Sequence, residues 1–334
     1  MRWLKLLGKV LLALVGFFLA LGVGLYLWSL LYPEVQPVAL VSNPDPSADY
    51  AEARARFDAL LASEEARGDL DPKCLPVLLT HGEQTDRAIV LFHGLTACPY
   101  QYRELGQDLF DAGYNVFIPR LPRHGLADRT ANVLADLTAE ELAGAMDPAV
   151  DIAAGLGKDV TLAGLSLGGN VAALAGQLRG DLDLAAPMSP ALGLRFVPDL
   201  LTPALTRIIL GLPDFYMWWD PINQANFQAE SGYPGYSTHA LGEIFRLGLA
   251  ERAFAETNAP AAENLLMITN MGDPAVNVGA ANTLAGEWKE KSAAVTEYEF
   301  ALLPWLPHDF ISPDSPGVKT EVSYPVLEDL LAPE

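Results

Sequence analysis

From Pro76 onward, short apolar runs of strand type alternate with stretches of helical spacing, and this alternation restricts the fold more than any other feature of the chain. Residues 88–92, 114–118, 160–163, 182–187, 265–268 and 295–300 read as strands. Residues 100–112 and 170–178 read as helices, as does a segment opened by a capping box of Thr138 and Glu141 and ending near Gly155. Strands and helices in alternation predict an α/β fold, with a mostly parallel, buried central sheet and helices on both faces. The alternation lapses between about Gly193 and Thr257, where Pro198, Pro203, Pro213 and Pro221, a cluster of aromatics and a helix-like stretch over 240–249 occur. That interval, 193–257, reads as a cap inserted between two core strands. Ahead of the alternating region, Ser47 is placed to cap a helix running to about Ala66, with Tyr50, Phe57, Leu60 and Leu61 on one face.

The N-terminus carries a separate signal. No charged residue occurs from Val10 to Tyr32, a length sufficient to cross a hydrocarbon layer roughly 30 Å thick as a helix. Arg2, Lys5 and Lys9 precede the run, and Glu34 and Asp45 are the first charges after it, so the positive-inside rule sends the rest of the chain outward. A cleaved signal peptide would use Ala20-Leu21-Gly22, but ten mostly apolar residues follow, including Tyr26, Trp28 and Leu31. An uncleaved transmembrane anchor is therefore expected, followed by an extended linker at Pro33, Pro37, Pro44 and Pro46 that lifts the domain off the membrane. Residues 1–46 are thus anchor and linker, 47–334 one catalytic domain, and the domain is expected in the periplasm or outside the cell. There a disulfide between Cys74 and Cys98 is chemically permitted, as is a pair of buried free thiols. The formal net charge of -21 excludes nucleic acid as a partner, since a phosphate backbone needs Lys and Arg against it.

Gly164-Leu165-Ser166-Leu167-Gly168 sits where a strand ends and a helix begins. A serine there occupies a sharp, strained turn, and glycines on either side give room to the backbone and the facing helix. The turn holds the hydroxyl near a helix N-terminus, whose dipole favours developing negative charge. A serine hydroxyl needs a neighbouring base to become nucleophilic. In this architecture the chain order is serine, acid, histidine. Only His239 and His308 follow Ser166, and His239 falls within the cap, so His308 is the expected base. Asp273, in the loop after the strand at 265–268, is the expected orienting acid. The backbone amides of Leu167 and Leu95 are the expected oxyanion donors. His93 and Gly94 shape the turn before Leu95 rather than react.

On His93-Gly94-Leu95, the loop Pro119-Arg120-Leu121-Pro122-Arg123-His124-Gly125, the Ser166 elbow, Asp273 with Val276 three later, and His308, the chain from Pro76 to Glu334 resembles the α/β-hydrolase superfamily. The likeness is to its monoglyceride-lipase and bacterial carboxylesterase branch. It implies a Ser–Asp–His triad, a capped site at the C-terminal edge of the sheet, and no cofactor. Serine at the elbow excludes epoxide hydrolases and haloalkane dehalogenases, which need aspartate there. Peptidases, thioesterases and C–C bond hydrolases share the triad, and a non-catalytic binding protein on the same scaffold is the alternative of a different class. The expected reaction is hydrolysis of small-molecule esters, short to medium acyl esters or monoglycerides, through an acyl-serine. Phe215, Trp218 and Trp219 of the cap are candidates to line an acyl pocket, though such a cluster also suits plain packing. No paired Cys/His metal spacing, phosphate loop or dinucleotide fingerprint occurs.

Overall fold

The computed structural model describes residues 2–130, 132–222, 231–291 and 293–332. The chain begins with helix α1 (Arg2–Ser29), and α2 (Tyr50–Arg67) precedes the first strands, β1 (Val77–Leu79) and β2 (Thr85–Phe92). Alternation then follows through α3 (Arg103–Asp111), β3 (Asn115–Ile118), α4 (Ala139–Gly144), α5 (Met146–Leu156), β4 (Gly157–Leu165), α6 (Leu167–Leu178) and β5 (Leu184–Met188). An insert carries α7 (Thr202–Gly211), β6 (Tyr216–Trp218), β7 (Gly235–Ser237) and α8 (Thr238–Thr257). The chain returns to the sheet with β8 (Asn264–Asn270), α9 (Val278–Glu290), β9 (Ala294–Phe300) and α10 (Thr320–Leu331).

The main sheet has the order β1-β3-β2-β4-β5-β8-β9. Only the edge pair β1·β3 is antiparallel, and every other neighbour is parallel. Strand residues alternate between two buried faces, as the period of two requires. In β2, Ala88, Val90 and Phe92 pack with residues of α2, α5 and α6, whereas Ile89 and Leu91 pack with Leu105 and Leu109 of α3 and Leu327 of α10. The sheet is therefore covered on both sides, which is why its central strands read as continuous apolar runs. The insert forms its own hairpin, with Tyr216 opposite Ser237 and Trp218 opposite Gly235. Residues 223–230, within the expected cap, lie outside the described residues.

Several local expectations need correction. Helix α2 is capped by Asp49, which accepts from the Glu52 amide at 2.9 Å, and not by Ser47, whose own amide donates to the Asp151 carbonyl. The helix expected from Thr138 to Gly155 is broken at Ala145 into α4 and α5. Pro148 lacks an amide hydrogen and fits only the first turn of a new helix, so the chain restarts there. The capping box of Thr138 and Glu141 is present. The linker is extended but is no free spacer. The Asn43 amide and the Ser42 hydroxyl donate to Asp147, and the Asp45 amide donates to Asp151. Those two carboxylates, with Asp181, also pair the fully buried Arg179 guanidinium. Sharing them satisfies the linker's backbone polar groups against the domain.

The expected membrane span falls on α1, where the side chains of Val10, Leu11, Leu12, Leu14 and Val15 lie outside the described residues. Among the described residues no helix is long and apolar enough to cross a membrane. The C-terminal end of α1 and the residues after it meet the insert. Tyr32 fills the space beside Gly211 of α7, and Arg207 of α7 donates to the Tyr32 carbonyl.

Cys74 and Cys98, both buried, are joined as a disulfide that spans 24 positions. Closing a loop of that length removes unfolded-state entropy equivalent to roughly 3 kcal/mol. Reduction of the bond is expected to lower the thermal midpoint by several degrees, read by differential scanning calorimetry with and without a membrane-permeant thiol reductant; an unchanged midpoint after verified reduction contradicts this.

Candidate active site

Ser166 stands between β4 and α6 at φ 58° and ψ -114°, a conformation that side-chain-bearing residues rarely adopt and that costs on the order of 1–3 kcal/mol. Its surroundings enforce it. The Ser166 amide donates to the Met188 carbonyl of β5 at 2.9 Å, and the Ser166 carbonyl accepts from Asn170 and Ala191. A Cβ on Gly168 would lie 2.0 Å from the Phe92 carbonyl oxygen, and one on Gly164 would lie 2.2 Å from the Gly168 carbonyl oxygen. The two glycines of the motif thus let the first turn of α6 settle onto β2 and β4. Neither obstacle is a movable side-chain end. Gly168→Ala is expected to destabilise the protein by about 3 kcal/mol or more, as overpacking against backbone does, measurable as a lowered urea midpoint; a midpoint equal to that of the parent contradicts the packing described.

Asp273 and His308 come from loops at the same sheet edge. Asp273 follows β8 in a turn closed by its amide donating to the Asn270 carbonyl. One carboxylate oxygen, Oδ1, accepts from the Ala275 and Val276 amides at 2.8 and 3.1 Å. The other, Oδ2, lies 2.8 Å from Nδ1 of His308, which follows β9. A carboxylate only accepts, so Nδ1 carries the proton and Nε2 is left with its lone pair. Burial opposes charge on His308, but the Asp273 carboxylate outweighs it by charge and hydrogen bond, and the imidazole titrates above its ordinary value. Burial likewise works to raise the Asp273 pKa, yet His308 and the two amides hold it below the usual aspartate value.

Asn270, buried at the end of β8, joins these loops. Its side-chain amide donates to the Leu306 and Pro307 carbonyls, just before His308, and its oxygen accepts from Gly272, just before Asp273. Sequence reading passed over it, although a polar Asn closing an otherwise apolar strand is the signal that marks it. Asp309 caps the turn after His308 by accepting from Ile311 and Ser312.

Opposite the elbow, residues Gly94 to Ala97 form a tight turn closed by the Ala97 amide on the Gly94 carbonyl. Gly94 abuts Ser166: a Cβ there would lie 3.7 Å from the Ser166 Cβ. The amides of Leu95 and Leu167 have no protein acceptor among the described residues. Behind the turn, His93 is fully buried, with Nδ1–H donating to the Gly94 carbonyl and Nε2 accepting from the Leu121 amide. Burial, together with His124 beside it, drives its pKa well below the ordinary value, so it stays neutral and braces the turn. His124 is likewise buried, which pushes its pKa down to about 4.

Of the three aromatic candidates, Trp219 reaches this region: its indole Nε1–H donates to the Thr96 hydroxyl at 2.9 Å. Trp218 packs edge-on against Tyr216, and Phe215 is exposed. A cavity of about 540 Å³ lies beside α2, between Phe92, Phe117 and the loop Pro119–Arg123. Ser166, Asp273 and His308 do not line it, and its arginines are held by carboxylates: Arg67 by Asp69, Arg120 by Glu64, Arg123 by Glu141. Among the described residues no three His, Cys, Asp or Glu side chains converge as a metal site requires.

Residues 89–301 match the alpha/beta hydrolase family, and the chain belongs to it. Solved structures of similar fold include one described as LipS and LipT, two metagenome-derived lipolytic enzymes, at 21% identity over 78% of this chain and 98% of that one, with a TM-score of 0.54. The monoacylglycerol lipase of Paleococcus ferrophilus is 20% identical over 77% of this chain and 97% of its own, with a TM-score of 0.56. A soluble variant of the monoglyceride lipase of Saccharomyces cerevisiae, in complex with a substrate analog, is 14% identical over 77% and 91%, with a TM-score of 0.50. At these identities the likeness is one of fold. No curated protein sequence matches the chain.

Proposed function

We propose that the chain is a serine hydrolase of carboxylic esters. The observation that carries this reading is the 2.8 Å bond between Asp273 and His308 Nδ1, at the sheet edge that also bears Ser166 on a strained elbow. Ser166 Oγ attacks the ester carbonyl carbon as its proton passes to His308 Nε2. The carbonyl oxygen, now an oxyanion, is held by the Leu95 and Leu167 amides. Collapse breaks the bond to the alkoxide, which leaves with the proton from His308. Water, deprotonated by His308, then releases the acid and restores the serine hydroxyl. Because the base must be neutral and its pKa is raised, kcat/KM is expected to rise with pH through one ionisation lying above about 6.5. An inflection below that value, or a flat profile with intact protein, contradicts the role of His308.

The substrates proposed are short to medium acyl esters or monoglycerides. The insert, acting as a cap, is apolar: Phe215, Met217 and Trp219 stand exposed on and beside its hairpin. Such a surface suits an acyl chain better than a charged peptide. A chain-length series of p-nitrophenyl esters, run beside an aminopeptidase substrate panel, tests this; efficient amide cleavage with negligible ester turnover overturns it.

We also propose that α1 seats in lipid and that the domain lies outside the cytoplasm. Phe17, Phe18, Leu19, Val23 and Leu27 of α1 are exposed, and a buried disulfide suits an oxidising compartment. The chain is expected to stay with membranes after a high-salt wash. A soluble mature form beginning after Gly22 contradicts this.

A further inference from the structure

We propose that the insert positions the oxyanion turn through Thr96, with Trp219 and Tyr233 as the positioning residues. This rests on the ester-hydrolase reading, in which the Leu95 amide is an oxyanion donor. Thr96 is the third residue of the Gly94–Ala97 turn and has φ 67°, a position such turns usually give to glycine. A β-branched residue does not hold that conformation unaided. Here two bonds hold it, and both come from the insert, more than a hundred residues away. The Tyr233 amide donates to the Thr96 carbonyl at 2.8 Å, and the Trp219 indole donates to the Thr96 hydroxyl at 2.9 Å.

The insert is itself braced to make those bonds. Tyr233 is buried; its hydroxyl donates to the Arg123 carbonyl and accepts from the Leu126 amide, both in the loop after β3. Trp219 is held by its amide on the Pro234 carbonyl and by its ring against Tyr236, with centroids 4.5 Å apart. Gly232 permits the approach: it has φ 84°, and a Cβ there would lie 2.4 Å from the Thr96 carbonyl oxygen. Just after the turn, Cys98 is pinned by its disulfide to Cys74. The second half of the turn is therefore held by the insert at Thr96 and by a covalent bond just beyond it. Loss of the insert's bonds lets Thr96 return to negative φ, which rotates the Leu95–Thr96 peptide, opens the turn and so shifts the adjoining Gly94–Leu95 peptide, whose Leu95 amide is aimed at the oxyanion.

Trp219 is 48% exposed, so Trp219→Phe keeps an aromatic ring, removes the indole donor and opens little buried space. Thr96→Val removes the acceptor, and Thr96→Ser keeps it. With p-nitrophenyl butyrate, Trp219→Phe and Thr96→Val are each expected to lower kcat about 10-fold with KM nearly unchanged, a fraction of what deleting a direct oxyanion donor does. Affinity for phenylboronic acid, which forms a tetrahedral adduct on the serine, is expected to fall by the same factor. The double variant should be no worse than either single one, because both remove one bond, and Thr96→Ser should behave as the parent. A uniform loss of folding stability would not split kcat from KM or spare Thr96→Ser. Parent-like kcat and boronate affinity in both single variants overturn the proposal, as does a loss confined to KM. Failure of the underlying reading looks different: the parent itself then gives no phosphonate adduct on Ser166, and the proposal falls with it.

Discussion

On the proposed mechanism, Ser166→Ala is expected to lower turnover of p-nitrophenyl butyrate by roughly four to six orders of magnitude, as removal of the nucleophile does in serine hydrolases. The loss should come without loss of fold. The hydroxyl makes no hydrogen bond to another protein group among the described residues, and every restraint on the elbow acts through the backbone or the flanking glycines. Alanine keeps the Cβ and so keeps the backbone strain at φ 58°, and the thermal midpoint should match that of the parent. Ser166→Gly separates the two effects. It should be as inactive as the alanine variant, yet about 1 kcal/mol more stable, because glycine adopts this conformation without steric penalty. Turnover near the parent's in the alanine variant, or a glycine variant less stable than the alanine one, contradicts the account of the elbow.

Asp273→Asn is expected to lower kcat about 10⁴-fold, through the tautomer of His308 rather than through any lost contact. The Ala275 and Val276 amides both point at Oδ1, and both need an acceptor, so the amide oxygen of the new side chain must stay there. Its NH2 then faces His308 Nδ1 and donates to it. The imidazole is forced to carry its proton on Nε2, where it can no longer take one from serine. The same change removes the carboxylate that raises the His308 pKa, so what activity remains should show its acid limb at lower pH than the parent. A kcat within tenfold of the parent, or an acid limb displaced upward, contradicts this.

Features of the site governed by local geometry were legible from sequence. The elbow could be read because the two glycines of Gly164-Leu165-Ser166-Leu167-Gly168 answer to backbone atoms at close range. Asp273 and His308 followed from where strands end, since a parallel sheet sends each loop to the same edge. Features that depend on distant partners were not legible. The Cys74–Cys98 pair required knowing that the turn after α2 meets the Leu95 loop. Thr96 looks ordinary in sequence, and only the insert's indole and amide mark it. The segment 33–46 looked like a free spacer because proline content reports extension, whereas its docking depends on Asp147 and Asp151 a hundred residues later. β1 was missed because three residues on an antiparallel edge give too short an apolar run, and α9 because Gly279, Ala280 and Ala281 blur its helical period.

A fluorophosphonate bearing a short alkyl chain reacts only with a serine whose proton is taken by a base, so the adduct's position reports nucleophile and base together. The protein would be labelled to completion and the modified residue located by peptide mass spectrometry, in the parent and in His308→Ala. A single adduct on Ser166 in the parent, formed at least ~100-fold more slowly in His308→Ala, is the predicted result. An adduct on another residue, or equal labelling rates in the two proteins, would contradict it.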